Sequence, residues 1–169
     1  MEYVHELHYP KFWPVYSAFW KEVNGINLEA MVSIPIGDRV LVTTQLEEKI
    51  HANLRGGKRI KVVLSGGDVI GFIQFHLIEK ETLFVDCLFV VPSCRYVGIT
   101  RFIVNSFPLM KKCIFQVHKN LRPEIMLNGC MHATKIADSD IKDLELWEYT
   151  YDPESQGNNE KLLQFKAKQ

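Results

Sequence analysis

The sequence predicts an α/β (α+β) domain in which helices flank a mixed, mostly antiparallel central sheet of about six to seven strands. Three observations carry this prediction. Apolar residues recur at helical spacing near the N-terminus and again after Pro92, and between residues 60 and 91 β-branched apolar runs are divided by polar turns. At 47% hydrophobic and 24% charged residues, the 169-residue chain also carries enough apolar material for one sizeable core, and residues 1–169 are read as a single domain.

The elements follow in order. Phe12, Tyr16, Phe19 and Trp20 fall on one face by the i, i+4, i+7, i+8 spacing, which predicts a helix over 11–23. Thr44-Gln45-Leu46-Glu47 is a capping-box pattern, and Gly56-Gly57 after Arg55 ends the helix it opens. Between the two helices, 31–42 contains Pro35, Gly37 and Asp38 and reads as an irregular loop with room for a short strand. Strands are then expected at 60–65, 69–78 and 82–91, joined by Ser65-Gly66-Gly67-Asp68 and by a polar turn at 79–81. The third is too apolar for an edge and is placed centrally. Ile99, Phe102, Ile103, Phe107 and Met110 continue as a helix that Pro108 kinks or splits. Further strands are expected at 124–128, 144–151 and 162–166, with a short ordered segment at 132–143 and a polar loop at 152–160.

Charge and cysteine usage exclude several functions. Twenty Lys and Arg against twenty Asp and Glu give a net charge of zero, which argues against a nucleic-acid binder, since that affinity rests on surplus cations releasing counterions. The longest apolar run, 83–91, is broken by Asp86 and falls short of the roughly 20 residues that span a bilayer. Glu2, His5 and Glu6 stand where a signal peptide needs a basic start and an apolar stretch. Cys87, Cys94, Cys113 and Cys130 form no CxxC pair, so no metal site is signalled, and reduced thiols in a cytoplasmic protein are expected.

The most informative segment runs from Leu88 through Pro92 and Arg95 to Arg101. An apolar strand enters a short loop that opens a helix, whose first-turn amides and dipole make an anion site suited to a pyrophosphate, and Gly98 lets the backbone approach a phosphate closely. Arg95-Tyr96-Val97-Gly98-Ile99-Thr100 resembles the pyrophosphate-binding motif of the GNAT superfamily of acetyl-CoA-dependent N-acetyltransferases, which reads Arg or Gln, two residues, Gly, one residue, then Gly or Ala. Val90-x-Pro92 is similar to the family's lead-in, and the predicted order of elements is the family's order. Thr100 departs from the Gly or Ala, and Tyr96 stands where a second Gly is common.

The resemblance implies acetyl-CoA as cosubstrate, an amine as acceptor, and a thioester lying between the strands at 82–91 and 124–128. Phe89, Val90 and Val91 would pair with the pantetheine arm, and Arg95, Tyr96, Val97, Gly98, Ile99, Thr100 and Arg101 would hold the pyrophosphate. Asn128 matches an Asn the family often carries near the fifth strand's end. Charge agrees: no acid lies between Asp86 and Glu124, whereas Arg95, Arg101, Lys111, Lys112, Lys119 and Arg122 do, and the acids gather beyond Asp138.

For the base, Asp86 is the first candidate, because an acid in so apolar a strand is costly unless paired or hydrated, a setting in which carboxylates become useful bases. The alternative is a structural acid satisfied by a neighbouring Arg, His or backbone amide. Glu124 is the reserve. The family's proton-donating Tyr falls here near Lys135, so His132, Cys130 or a water would take its place. The acceptor is expected from the side of the aromatic first helix and the 31–42 loop, and the acidic tail favours a cationic amine. The departures at Tyr96, Thr100, Pro108 and Lys135 motivate a second reading, a GNAT-shaped protein that serves as a binding or structural component, with the aromatic N-terminal helix as the interface of a homodimer or assembly.

Overall fold

The computed structural model describes residues 2–3, 9–25, 33–36, 39–95, 98–129 and 131–152. Its centre is a seven-stranded sheet in the order β1-β4-β5-β6-β7-β9-β8. In chain order the elements are β1 (Glu2–Tyr3), α1 (Tyr9–Asn24), β2 (Ser33–Ile36), β3 (Arg39–Val42), α2 (Thr43–Arg55), β4 (Arg59–Ser65), β5 (Asp68–Glu79), β6 (Thr82–Val90), α3 (Ile99–Asn105), β7 (Lys112–His118), β8 (Thr134–Asp138) and β9 (Leu144–Thr150). The pair β6–β7 is parallel and every other pairing is antiparallel. The segment expected as a loop at 31–42 contains a separate antiparallel hairpin, β2–β3.

Helices cover both faces. On one, the α1 stripe of Phe12, Val15 and Phe19 meets Phe72 and Phe89, with ring centroids 5.3 Å apart for Phe12–Phe72 and 5.7 Å for Phe19–Phe89. Burying side chains of this size contributes about 1.5–3 kcal/mol each. The aromatic run read as an interface is thus largely spent on the protein's own sheet. On the other face, Ile103 and Val104 of α3 close over Ile73, Leu83, Val85, Leu88 and Phe115. Among the described residues no helix is long and apolar enough to cross a membrane.

Two expectations need correction, and they are linked. The helix after Pro92 ends at Asn105, since Pro108 cannot continue it, and the chain returns as β7 over Lys112–His118. In β7, Cys113, Phe115 and Val117 are buried and alternate with less buried neighbours, a period of two that the preceding helical pattern obscures. The strand expected at 124–128 is instead a π-helical turn, Glu124–Gly129, directly after Pro123, with Leu127 fully buried. A short apolar run fits either a strand or a buried helical turn by periodicity alone. The fifth strand of the sequence reading is therefore β7, and the final strand expected at 162–166 lies outside the described residues, as does the polar loop beyond Asp152.

Candidate active site

The parallel pair β6–β7 is short. Pairing runs from Thr82↔Lys112 to Val85↔Phe115 and stops, although β6 continues to Val90 and β7 to His118. Meanwhile β7 stays paired with β9 as far as His118↔Leu144 and β6 with β5 as far as Gly71↔Val90. The sheet therefore opens between the two strands, and beyond Val85 the β7-facing backbone groups of β6 have no ladder partner in β7. Such groups need hydrogen bonds from elsewhere.

A bulge lies where the opening begins. Gln74 pairs with Cys87 and Phe75 with Val85, leaving Asp86 as the extra residue of β6. The bulge resets the alternation: Leu83, Val85, Leu88 and Val90 all face the α3 core, whereas Cys87 and Phe89 face the α1 core. A regular strand would put Asp86 on the side of Leu88 and Val90, and the bulge takes it out of that alternation.

Two clefts border the opening and share Leu88 and Leu121. The narrower, about 50 Å³, is lined by Phe89, Val90, Arg95, Gly98, Ile99, Thr100 and Arg101, with Arg122 and Ile125 opposite. Gly98 caps α3 with φ 84° and ψ 13°, a left-handed conformation that costs other residues, and the amides of the first turn of α3 follow it. Tyr96 and Val97 lie outside the described residues.

Arg95 lines this cleft with its guanidinium already engaged. Its guanidinium makes a bidentate pair with Glu22 of α1 at 2.7 and 2.6 Å, its Nε donates to the Val90 carbonyl at 2.7 Å, and it lies over the Phe89 ring at 5.2 Å. Arg95 is a fastener between α1 and the loop. Of the other cations, Arg101 and Arg122 line the cleft, whereas Lys111 and Lys112 sit at the far end of β7 with Glu81 and Glu148 as partners.

The wider cleft, about 600 Å³, is lined by Phe19, Trp20 and Val23 of α1, Asp86 to Leu88 of β6, Gln116 to His118 of β7, and residues 141–144 at the β8–β9 turn. Asp86 is 15% exposed, and its carboxylate accepts from Lys58 Nζ at 3.1 Å and pairs with His76 Nδ1 at 2.8 Å. Burial, and then the Asp86 charge, push the neighbouring Cys87 thiol up, which keeps it protonated and unsuited to act as a nucleophile. His118 Nδ1 accepts from the Asn120 amide at 3.1 Å, so neutral His118 carries its proton on Nε2. Burial holds His118 below the ordinary histidine value, Asp143 opposes this, and Lys119 adds to it.

The structure thus brings Asp86, Phe89, Val90, Gly98, Ile99, Thr100 and Arg101 to the opening. Glu124 is exposed in the π-helical turn, 3.8 Å from Arg122, and has lost the strand-start position for which it was named. His132 is exposed with φ 56°, and neither residue is among those lining the two clefts. Asn128 falls in the same π-helical turn rather than on a strand end. Val91 gives its amide to the Ile70 carbonyl at 2.9 Å. Sequence reasoning misses Lys58 and His76, whose link to Asp86 exists only across the folded sheet, and His118, whose place at the cleft follows from β7.

No protein-family model matches the sequence, and no curated protein sequence matches it. Solved structures do match its fold. An acetyltransferase of the GNAT family from Staphylococcus aureus Mu50 aligns with a TM-score of 0.58 at 10% identity, over 89% of this chain and 99% of that one. Ribosomal-protein-alanine N-acetyltransferase from Brucella melitensis gives 0.54 at 12% identity, over 89% and 98%. The N-acetyltransferase PseH from Campylobacter jejuni, solved in complex with acetyl coenzyme A, gives 0.54 at 17% identity, over 89% and 97%.

Proposed function

We propose that this chain, whose fold is that of the GNAT acetyltransferases, transfers the acetyl group of acetyl-CoA to an amine of a small molecule or a protein. The observation that carries this reading is the parting of β6 from β7 after Val85 and Phe115, with a cleft on either side and Leu88 and Leu121 common to both. A cosubstrate entering by one cleft and an acceptor entering by the other would meet across the opening.

Acetyl-CoA supplies an acetyl group already activated as a thioester. The amides following Gly98 would face its pyrophosphate, with Arg101 and Arg122 as the nearest cations and Arg95 holding the loop against α1. Val91 and the Val90 carbonyl are already engaged, so the pantetheine arm would pair with the remaining β7-facing edge of β6. Positioning supplies much of the rate in such a reaction. The acceptor nitrogen bonds to the acetyl carbon as the carbon–sulfur bond breaks. Asp86 first takes a proton from the bound ammonium so that the neutral nitrogen can attack, and the surplus proton the nitrogen then carries passes through water to the departing sulfur. Apolar walls from Phe19, Val23, Leu88 and Val117, with carboxylates of Asp86 and Asp143 at the cleft, favour a cationic amine on an apolar stem.

The test is release of CoA thiol over a panel of amines. The intact protein is expected to consume acetyl-CoA with at least one of them, and Asp86→Asn to slow this about 100-fold or more, with the calorimetric affinity for acetyl-CoA unchanged. Absence of both binding and thiol release would refute the reading. One observation favours the alternative, a fold retained for binding alone: Lys135, near the position of the family's proton-donating Tyr, lies exposed on β8 in ion pairs with Asp138 and Glu145. Acetyl-CoA binding without turnover of any amine would support that alternative.

A further inference from the structure

Asp86 is the residue that the β6 bulge leaves without a cross-strand partner on β5, so the ladder does little to fix the direction of its carboxylate. Two side chains do so instead. His76 Nδ1 lies 2.8 Å from Oδ2, and Lys58 Nζ lies 3.1 Å from Oδ1. Against an ionised carboxylate the imidazole must donate from Nδ1, and its ring is itself held by Phe84, 5.1 Å away between centroids. His76 lies on β5 and Asp86 on β6, and Lys58 stands just before β4. Lys58 immediately precedes Arg59, which pairs with Phe75, and His76 pairs with Phe84, two residues before Asp86.

We infer that His76 and Lys58 are positioning residues for Asp86, clamping one carboxylate oxygen each so that the lone pairs left over face the amine in the acceptor cleft. The inference rests on the acetyl-transfer reading of that cleft. An ionised carboxylate offers about four acceptor sites. The clamp uses two of them and leaves two for the acceptor's N–H groups. At 15% exposure Asp86 has little water to orient it once an acceptor fills the cleft, so orientation falls to the two donors. Neither His76 nor Lys58 lines the cleft itself, so each acts through Asp86.

The test compares His76→Ala with His76→Asn, whose amide can return an N–H close to the position of Nδ1. His76→Ala is expected to lower kcat about 10- to 100-fold, the scale of a misplaced catalytic group, with the KM for acetyl-CoA unchanged and folding cooperativity intact. His76→Asn is expected to recover most of the loss, and Lys58→Met to fall between the two. Unchanged kcat in His76→Ala, or equal loss in the Ala and Asn variants, would overturn the inference. A readout independent of turnover is the nitrogen-edited NMR spectrum, in which the His76 Nδ1–H should appear at low field and vanish in Asp86→Ala. If it is missing from the intact protein, the clamp is wrong. If it is present while no amine consumes acetyl-CoA, the acetyl-transfer reading falls and takes the positioning role with it.

Discussion

The two clefts differ in how the chain builds them. The narrow cleft comes largely from one continuous stretch, strand β6 running through Arg95 and Gly98 into α3, with Leu121, Arg122 and Ile125 added from beyond β7. The wide cleft is assembled from α1, β6, β7 and the β8–β9 turn, with the Asp86 clamp reaching further to Lys58 and His76. A site made by local backbone conformation depends on residues such as Gly98 that the loop itself requires. One made by long-range packing depends on register, and here the register contains a bulge.

The largest effect separating the two clefts is expected from Gly98→Val. The position has open space around it, so the cost is conformational: a β-branched residue at φ 84° is disfavoured by about 1–2 kcal/mol or more. Acetyl-CoA affinity in calorimetry should fall about tenfold or more, while the His76 signature at the wide cleft stays in place. If the two clefts respond together, they are not separate units.

A smaller effect is expected from Glu22→Gln, which halves the link between them. The Glu22–Arg95 pair is partly buried and bidentate, so its loss should cost about 1 kcal/mol. Because Glu22 lies on the helix that supplies Phe19, Trp20 and Val23 to the wide cleft, the variant should weaken acetyl-CoA binding and raise the acceptor KM together. A change confined to one ligand, read by calorimetry and steady-state kinetics, would show that Arg95 fastens only its own loop.

The smallest expected effect is the acid response of His118. Its folded-state value is held below the ordinary histidine value of 6.5, chiefly by burial, and the Asn120 amide on Nδ1 also opposes protonation. As pH falls through that ordinary value, the unfolded chain takes up the proton before the folded one, so the stability His118 contributes is present at neutral pH and lost on acidification. Denaturant melts of His118→Gln should therefore lose less stability between about pH 6.5 and 5 than the intact protein. An identical acid slope would contradict this.

The same contrast governs what the sequence made legible. The helices at 11–23 and 44–55, the strands at 60–65, 69–78 and 82–91 and the opening of a helix after Gly98 could be read from periodicity, caps and turns, because each is decided by its own residues. The strand β7 could not, since its Lys112-Cys113-Ile114-Phe115-Gln116-Val117-His118 alternation follows a helical pattern that Pro108 only partly interrupts. With β7 hidden, the opening is expected at Glu124 and Asn128, both of which lie in the π-helical turn. Asp86 was identified from its cost in an apolar strand. Its partners were not, because the relation of Lys58 to His76 exists only in the paired sheet. The motif gives Arg95 a phosphate, whereas in the fold its guanidinium pairs with Glu22, seventy-three residues earlier.

Whether the opening between β6 and β7 receives acetyl-CoA can be seen in a crystal structure of the protein soaked with acetyl-CoA. The thioester is expected between Leu88 and Val117 and the pyrophosphate at the amides that follow Gly98, with Arg95 still paired to Glu22. Acetyl-CoA found elsewhere on the surface, or an opening that stays empty at saturating ligand, would contradict this.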